Sequence, residues 1–447
     1  MTGLDLENRL IACRAAREKM QRGYLSEVEK TLGEEAALEL GKLLSLYDER
    51  LYIWLAGLWQ PEIGGFYHSE SGRGAENMLP DIESTGQVLY FLVRSGLTAG
   101  KPRNDPDAFP KSFRDKISEF TLSLLDPEDG YFYHPQWGKR IPPSRRGRDL
   151  GWAMEIIEDF GLTTPCPTAI ERLSGNKEEA RTVLPEHLTD IGRFKEYLDS
   201  LDINGRSYYT GNLLQSQTKQ IVAAGEEFSE MLLSWIREHQ REDNGLWQPE
   251  VNYDSVNGLM KIGLLHTTCQ APIPRPDKAL DSTIKVALSD EPTTFVCQFF
   301  NPVITIGNLL DSFVSLGREV EEKQLRAKIR EMAPELIRKT AEKIALYKVP
   351  ETGAFAYSLN RKTNGVSQGM HVGVPGLCNG NVNATCICST GTLRGLYRAL
   401  GIEPIPFYCK EDSELFFELI RGATVHQKTE PYPGDEVYYQ GKSWFYG

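Results

Sequence analysis

One phrase recurs along this chain and restricts its fold more than any other feature. An amphipathic helix is followed by a turn of the form polar residue–Gly–aromatic, a polar loop, and a second, more apolar helix that ends near a glycine. The clearest copy is LLSWIREHQREDNGLWQPEVNYDSVNGLMKIGLL, Leu232 to Leu265. In its first helix Phe228, Met231, Leu232, Trp235, Ile236 and His239 fall three or four apart, one face at a 3.6 period. Asn244-Gly245 is expected to stop that helix, because glycine enters the left-handed region without a Cβ clash. Trp247 is expected to fold back over the helix ends, and Asp254 or Ser255 to cap the next helix.

Further copies pair Leu51–Gly72 with Asp81–Gly96, Phe120–Gly138 with Arg148–Gly161, and Asp202–Asn212 with a helix running to Gly225. A fifth pair, Asp277–Leu288 with Asn301–Gly317, lacks the turn. The last joins a long helix Glu321–Tyr347 through ETGAFAYS to a helix near Asn383–Gly401. The second helices, ending near 96, 161, 225, 265, 317 and 401, are rich in Gly, Ala, Ser and Thr and short of charge. A helix buried on most sides reads this way, and the charged first helices form an outer layer. The expectation is an all-α chain, an α/α toroid of about six outer/inner pairs in a single domain 1–447. Residues 1–40 would form an N-terminal helical extension and 402–447 a C-terminal tail packed on the ring. An open solenoid or an irregular bundle is the alternative.

Composition narrows the partners. Apolar residues make up 40% and the net charge is −12, which opposes binding to nucleic acid or acidic lipid. No apolar run reaches the roughly 18 residues of a membrane span, and no apolar leader is visible, so a cytoplasmic location is the default. The basic cluster Lys139, Arg140, Arg145, Arg146 and Arg148, interrupted by Pro142 and Pro143, reads as a loop: either solvated or an anionic-ligand contact at a cavity rim. The eight cysteines are scattered and read as small buried hydrophobes of a reducing compartment.

The phrases HQREDNGLW, DPEDGYF and PETGAFA resemble the repeat of the terpenoid cyclase and protein prenyltransferase toroid superfamily. Related toroids occur among glycoside hydrolases and polysaccharide lyases. The likeness concerns fold, and such folds host unrelated chemistries. The segment Asp81-Ile82-Glu83-Ser84-Thr85 is similar to a degenerate Asp-x-Asp-Asp-Thr motif of class II terpene cyclases. That resemblance implies Glu83 at the proton-donor position, with Ser84 replacing the final acid.

In a ring of this kind the outer-to-inner turns and the inner-helix N-termini gather at one end, so loop residues there are the functional candidates. Either Asp81 or Ser84 caps a helix here, or Asp81 and Glu83 form a carboxyl pair whose apolar wall raises a pKa for general-acid work. His68, His134, Asp149 and Asp254 are further acid/base candidates. Trp59, Trp137, Tyr208, Tyr209, Trp247, Glu250, Tyr253 and Arg148 are candidates for binding, since aromatic rings stack on sugar faces and polar groups take hydroxyls. Each of these Trp and His residues also has a packing or hydrogen-bonding alternative. No cofactor is expected. A zinc site from Cys378, Cys386, Cys388 and His371 fits no strong signature, and Cys378 or Cys297 as a nucleophile lacks an adjacent base. The favoured function is a hydrolase or lyase acting on a saccharide or related small polar ligand by acid/base catalysis. The alternatives are an isoprenoid cyclase or prenyl-binding enzyme using Glu83, and a non-enzymatic binding protein.

Overall fold

The computed structural model describes residues 3–76, 78–175, 184–360, 365–374 and 380–428. Within them the chain is mostly helical, and the paired strands are two short antiparallel hairpins: β1 (Trp59–Gln60) with β2 (Gly65–Phe66), and β3 (Val366–Ser367) with β4 (Met370–His371). In chain order the helices are α1 (Gly3–Leu32), α2 (Glu34–Leu44), α3 (Glu49–Ala56), α4 (Glu70–Gly74), α5 (Ile82–Ser95), α6 (Lys111–Ser123) and α7 (Pro143–Phe160). There follow α8 (Ala169–Gly175), α9 (Ile191–Asp199), α10 (Ser207–Ala224), α11 (Glu226–His239), α12 (Tyr253–Thr268), α13 (Pro276–Ala287) and α14 (Cys297–Ser315). The chain continues through α15 (Glu319–Glu331), α16 (Ala333–Tyr347), α17 (Val382–Cys386), a π turn at Ile387–Gly391, α18 (Thr392–Leu400) and α19 (Lys410–Arg421). Among the described residues no helix is long and apolar enough to cross a membrane.

Burial separates two kinds of helix, as the composition of the repeats requires. In α11 only the stripe Phe228, Leu232, Trp235 and Ile236 is buried. In α5 burial runs all round, from Ile82 through Gly86 and on to Val88, Leu89, Phe91, Leu92 and Ser95. The buried helices are neighbours in succession: α5 packs on α7, α7 on α10, α10 on α12, α12 on α14 and α14 on α18, while α17 lies against α5. Their N-termini are capped locally. Asp81 accepts the Ser84 N–H at 2.9 Å, and Asn381 accepts that of Ala384 at 2.8 Å. The cap of α12 is Asn252, not Asp254 or Ser255; Asn252 and Ser255 form a reciprocal capping box, each side chain accepting the other's N–H at 3.1 Å.

The polar–Gly–aromatic phrase forms a closed turn rather than a helix stop. The α11 helix has already ended at His239 when Gly245 takes a φ of +69°. The Arg241, Asp126 and Val349 N–H groups each donate at 2.8 Å across their turns, to the carbonyls of Leu246, Tyr131 and Ala354. The turn glycine is required twice over, by its positive φ and by what it touches. A Cβ on Gly245 would lie 2.3 Å from the Ala279 nitrogen in α13, and one on Gly353 2.8 Å from the Leu51 nitrogen in α3. Gly64 likewise docks on Lys116 of α6. Each of these turns therefore seats on a helix distant in sequence, α13, α3 or α6. Gly245→Ala is expected to cost about 2–5 kcal/mol from left-handed strain plus the clash. Gly317→Ala, with a similar φ of +70° but open space around it, should cost only about 1 kcal/mol. Urea unfolding of both variants compares them; equal losses would show that the docking contact is unimportant.

Several expectations are corrected. The helix Glu321–Tyr347 is two, broken at Met332 where Pro334 begins α16, because proline cannot supply an interior helical N–H. The boundary at residue 40 falls inside α2, which packs on α16. In residues 402–428, Ile405, Phe407 and Tyr408 are buried, and α19 packs on α3 and α1. There the buried Asp412 carboxylate accepts from Arg17 at 2.9 and 3.2 Å, tying α19 to α1. The remainder, 429–447, lies outside the described residues. The basic cluster is only partly a loop, since Arg145, Arg146 and Arg148 occupy the first turns of α7 behind Pro143, whose fixed φ suits a first helical position.

Candidate active site

The buried helices and the segments that connect them surround a cavity of about 260 Å³. Asp81, Glu83 and Gln87 reach it from α5 and its cap, and Arg148 from α7. Tyr208 and Asn212 come from α10, Lys261 from α12, and Cys297 and Asn301 from α14. His68, Ser367, Gln368, Asn381 and Tyr357 come from the connecting segments. Met260, Leu264, Phe300, Ile304 and Ile387 form an apolar part of the wall. Leu264 and Ile304 stand further along their helices than Lys261 and Cys297, so the wall becomes more apolar with depth.

A buried charge cluster supports one side. The Arg145 guanidinium, fully buried, holds Asp149 with two hydrogen bonds (2.5 and 3.0 Å), donates to Glu83 at 2.9 Å, and stands 3.7 Å from Asp81. The guanidinium carbon stands over the Trp137 ring, 4.7 Å from its centroid, and the indole is itself held by an N–H bond to the His371 carbonyl (3.1 Å). Arg148 donates to the other Glu83 oxygen at 2.9 Å, and Ser367 donates its hydroxyl to Glu83 at 2.7 Å. Burial would raise the Glu83 carboxyl, but Arg148, Arg145 and Ser367 outweigh it and hold it at about 2. Glu83 is therefore ionised, and the expectation of an apolar wall that leaves it a proton to donate is corrected. Asp149 moves the other way: burial pushes it to about 6, with Glu83 and Asp81 opposing Arg145. Three carboxylates share two guanidiniums here, so one of them gives up its proton late.

His68 and Asp81 face the cavity beside this cluster. Asp81 uses one carboxylate oxygen as the α5 cap; the other is buried and has no hydrogen-bond partner among the described residues. Nδ1 of His68 lies 3.3 Å from the Ser84 hydroxyl. Burial lowers its pKa, against Asp81 and Glu83, which keeps the ring neutral and able to accept a proton near pH 7. Across the cavity, burial and then the Arg148 charge lower the Lys261 ammonium to about 8.

Of the residues singled out from the sequence, the fold brings together His68, Asp81, Glu83, Arg148 and Tyr208 on one cavity, with Asp149 directly behind. The others do not line it. His134 is enclosed: its Nε2 bonds the Pro80 carbonyl (2.8 Å), its Nδ1 accepts from Gln136 N–H (3.2 Å), and its ring stacks on Trp137. Trp59 packs on Phe66 and Phe113. Trp247 is fully buried and donates to the Ile236 carbonyl at 2.9 Å, which is the fold-back expected of it and leaves no face for a ligand. Tyr209 lies under Arg206, Tyr253 donates to the Glu291 carbonyl (2.9 Å), Glu250 is exposed, and Asp254 sits half-buried in the first turn of α12.

Cys386 donates to the Gln87 carbonyl (3.4 Å), and burial pushes its thiol up to about 12. Cys378 lies outside the described residues, and among the described ones no group of three metal-binding side chains occurs. The Cys297 thiol pairs with the Tyr357 hydroxyl at 3.2 Å. Gln87, Asn212, Lys261 and Asn301 were missed, because a polar residue inside a helix ordinarily marks a solvated face. The available signal was their position on the most apolar helices, where a polar side chain needs a wet cavity or a partner. The chain matches no family model, no curated protein and no solved structure in comparisons with known proteins.

Proposed function

We propose that this chain is an α/α-toroid enzyme, a hydrolase or lyase that acts on a small polyhydroxylated substrate, a carbohydrate or a close relative, by general acid/base catalysis. The toroid reading is supported by the succession of buried helices from α5 to α18 with α17 against α5, and by the last turn glycine seating on α3. The observation that carries the functional reading is Asp81. Its carboxylate lines a polar cavity with the neutral His68 imidazole, and one of its oxygens is buried with no hydrogen-bond partner among the described residues. A buried acceptor left without a donor is costly, and a substrate hydroxyl satisfies it. In hydrolysis His68 takes a proton from the attacking water as its oxygen bonds the substrate carbon, and returns that proton to the oxygen whose bond breaks, while Asp81 accepts from one substrate hydroxyl and Gln87, Asn212 and Asn381 offer amides to others. At about 260 Å³ the cavity lies just under the usual ligand-pocket range of about 300–1,000 Å³, which suits one sugar ring rather than a polymer. A Glu83-initiated alkene protonation has less support, because that carboxyl has no proton to give.

The test is a panel of small glycosides and free sugars, assayed for binding and turnover. His68→Ala and Asp81→Asn are expected to lower turnover at least ~100-fold with unchanged circular dichroism. Binding of an isoprenoid diphosphate with no sugar bound would sink the reading. Sugar binding without any turnover would leave a binding protein in its place.

A further inference from the structure

We infer that the ligand of this cavity carries a carboxylate and that Lys261 receives it. The inference rests on the polar-substrate reading above and adds the charge of the substrate to it. Lys261 is placed by a close pairing of α12 with α10. Gly258 of α12 sits so near α10 that a Cβ there would meet the Ser207 hydroxyl at 2.1 Å, and one on Gly211 would meet the Lys261 Cβ at 3.0 Å. These glycines bring α12 against α10 and direct the lysine stem along that contact into the cavity.

The other charges around the cavity have partners. Glu83 is taken by Arg148 and Arg145, Asp149 by Arg145, and Asp81 stands beside Arg145. No ion pair or hydrogen bond of Lys261 occurs among the described residues; Arg148 from α7 repels it, and Glu83 from α5 attracts it at longer range. An ammonium held away from bulk water is unfavourable unless an anion or water meets it. One carboxylate matches one ammonium. A phosphate dianion would bring a second charge into a space already lined by Asp81 and Glu83. The arrangement also orients the ligand. Lys261 lies eight residues beyond the start of α12, about 12 Å along the axis, whereas Asp81 is at the mouth end of α5. A sugar acid would thus point its carboxylate inward and its hydroxyls to His68 and Asp81.

Differential labelling tests this on the full chain. Acetic anhydride is applied at pH 8, and acetylation of Lys261 is followed by peptide mass spectrometry in the presence of glucuronate, glucose, glucose 6-phosphate or acetate. Lys261 is expected to label readily in the free protein, and glucuronate to slow it at least tenfold where glucose at the same concentration does not. Lys261→Met should weaken glucuronate binding at least tenfold and leave glucose binding unchanged. Equal protection by glucose and glucuronate, stronger protection by glucose 6-phosphate, no protection by either carboxylate, or no labelling of the free protein overturns the proposal. Protection by glucuronate or acetate in a protein that turns over no glycoside supports the carboxylate site while removing the catalytic reading, so the two failures are distinguishable.

Discussion

Replacing Arg145 by methionine is expected to lower the unfolding free energy by about 3–5 kcal/mol, the usual consequence of removing one partner from a buried ion cluster. The guanidinium is the common partner of Asp149, Glu83 and Asp81, and it stands over the Trp137 ring. Without it Asp149 is a buried carboxyl with no cation, and Glu83 keeps only Arg148. Lysine is not a substitute: a point charge cannot bond Asp149 twice and reach Glu83 while standing over an indole. Arg145→Lys should therefore recover less than half of the loss. Adding Asp149→Asn to Arg145→Met removes the orphaned charge and should restore about 1–2 kcal/mol relative to the single variant. Urea unfolding at pH 7 measures all three. A loss under about 1 kcal/mol for Arg145→Met would mean that the cluster repacks or takes up water, and that the site does not depend on it.

Mild acid is expected to destabilise the protein well before its carboxylates titrate in bulk. Burial lowers the imidazoles of His134 and His266 to about 4. A base whose folded value lies below its unfolded value of about 6.5 contributes stability that is complete above 6.5 and lost as pH falls towards 4, because the unfolded chain binds the extra proton. Each shift corresponds to roughly 3 kcal/mol, together a large fraction of a typical domain's stability of about 5–15 kcal/mol. Asp149 opposes this. Raised from 3.8 to about 6, it contributes stability that is complete below 3.8 and lost as pH rises through 6, offsetting about 3 kcal/mol. The net expectation is a loss of about 3–4 kcal/mol between pH 6.5 and 4. A further loss follows from 4.5 towards 2 as Glu83, held at about 2, takes its proton. Unfolding free energies at pH 7 and 4.5 measure the first step. His266→Gln should cut the difference by roughly 3 kcal/mol. Equal stability at the two pH values would show that these imidazoles are solvated in the native state.

The repeat was legible because its signals are local. Apolar periodicity and helix-ending residues are written within a few positions of the backbone they control. The second helices read to end near 96, 161, 225 and 317 do end at Ser95, Phe160, Ala224 and Ser315. The left-handed glycine of the turn was readable for the same reason, although its place in a closed turn after the helix was not, since that depends on a docking partner such as Ala279. Part of the site was legible too: His68 lies in the connection before α5, and Asp81 and Glu83 at the start of α5, and all three line the cavity.

Only the tertiary structure decided their chemistry. Asp81-Ile82-Glu83 does not reveal that Glu83 meets Arg145 and Arg148 more than 60 positions away and Ser367 across nearly 300, and those partners reverse the sign of its pKa shift. Nor does a lysine directly after the segment Val-Asn-Gly-Leu-Met reveal that it faces a cavity rather than solvent. Charge, desolvation and burial are sums over neighbours in space. By itself the chain determined its apolar periodicity and most of the ends of its buried helices, while the assembly of those helices decided which carboxylate is ionised, which imidazole is neutral and which ammonium faces a cavity.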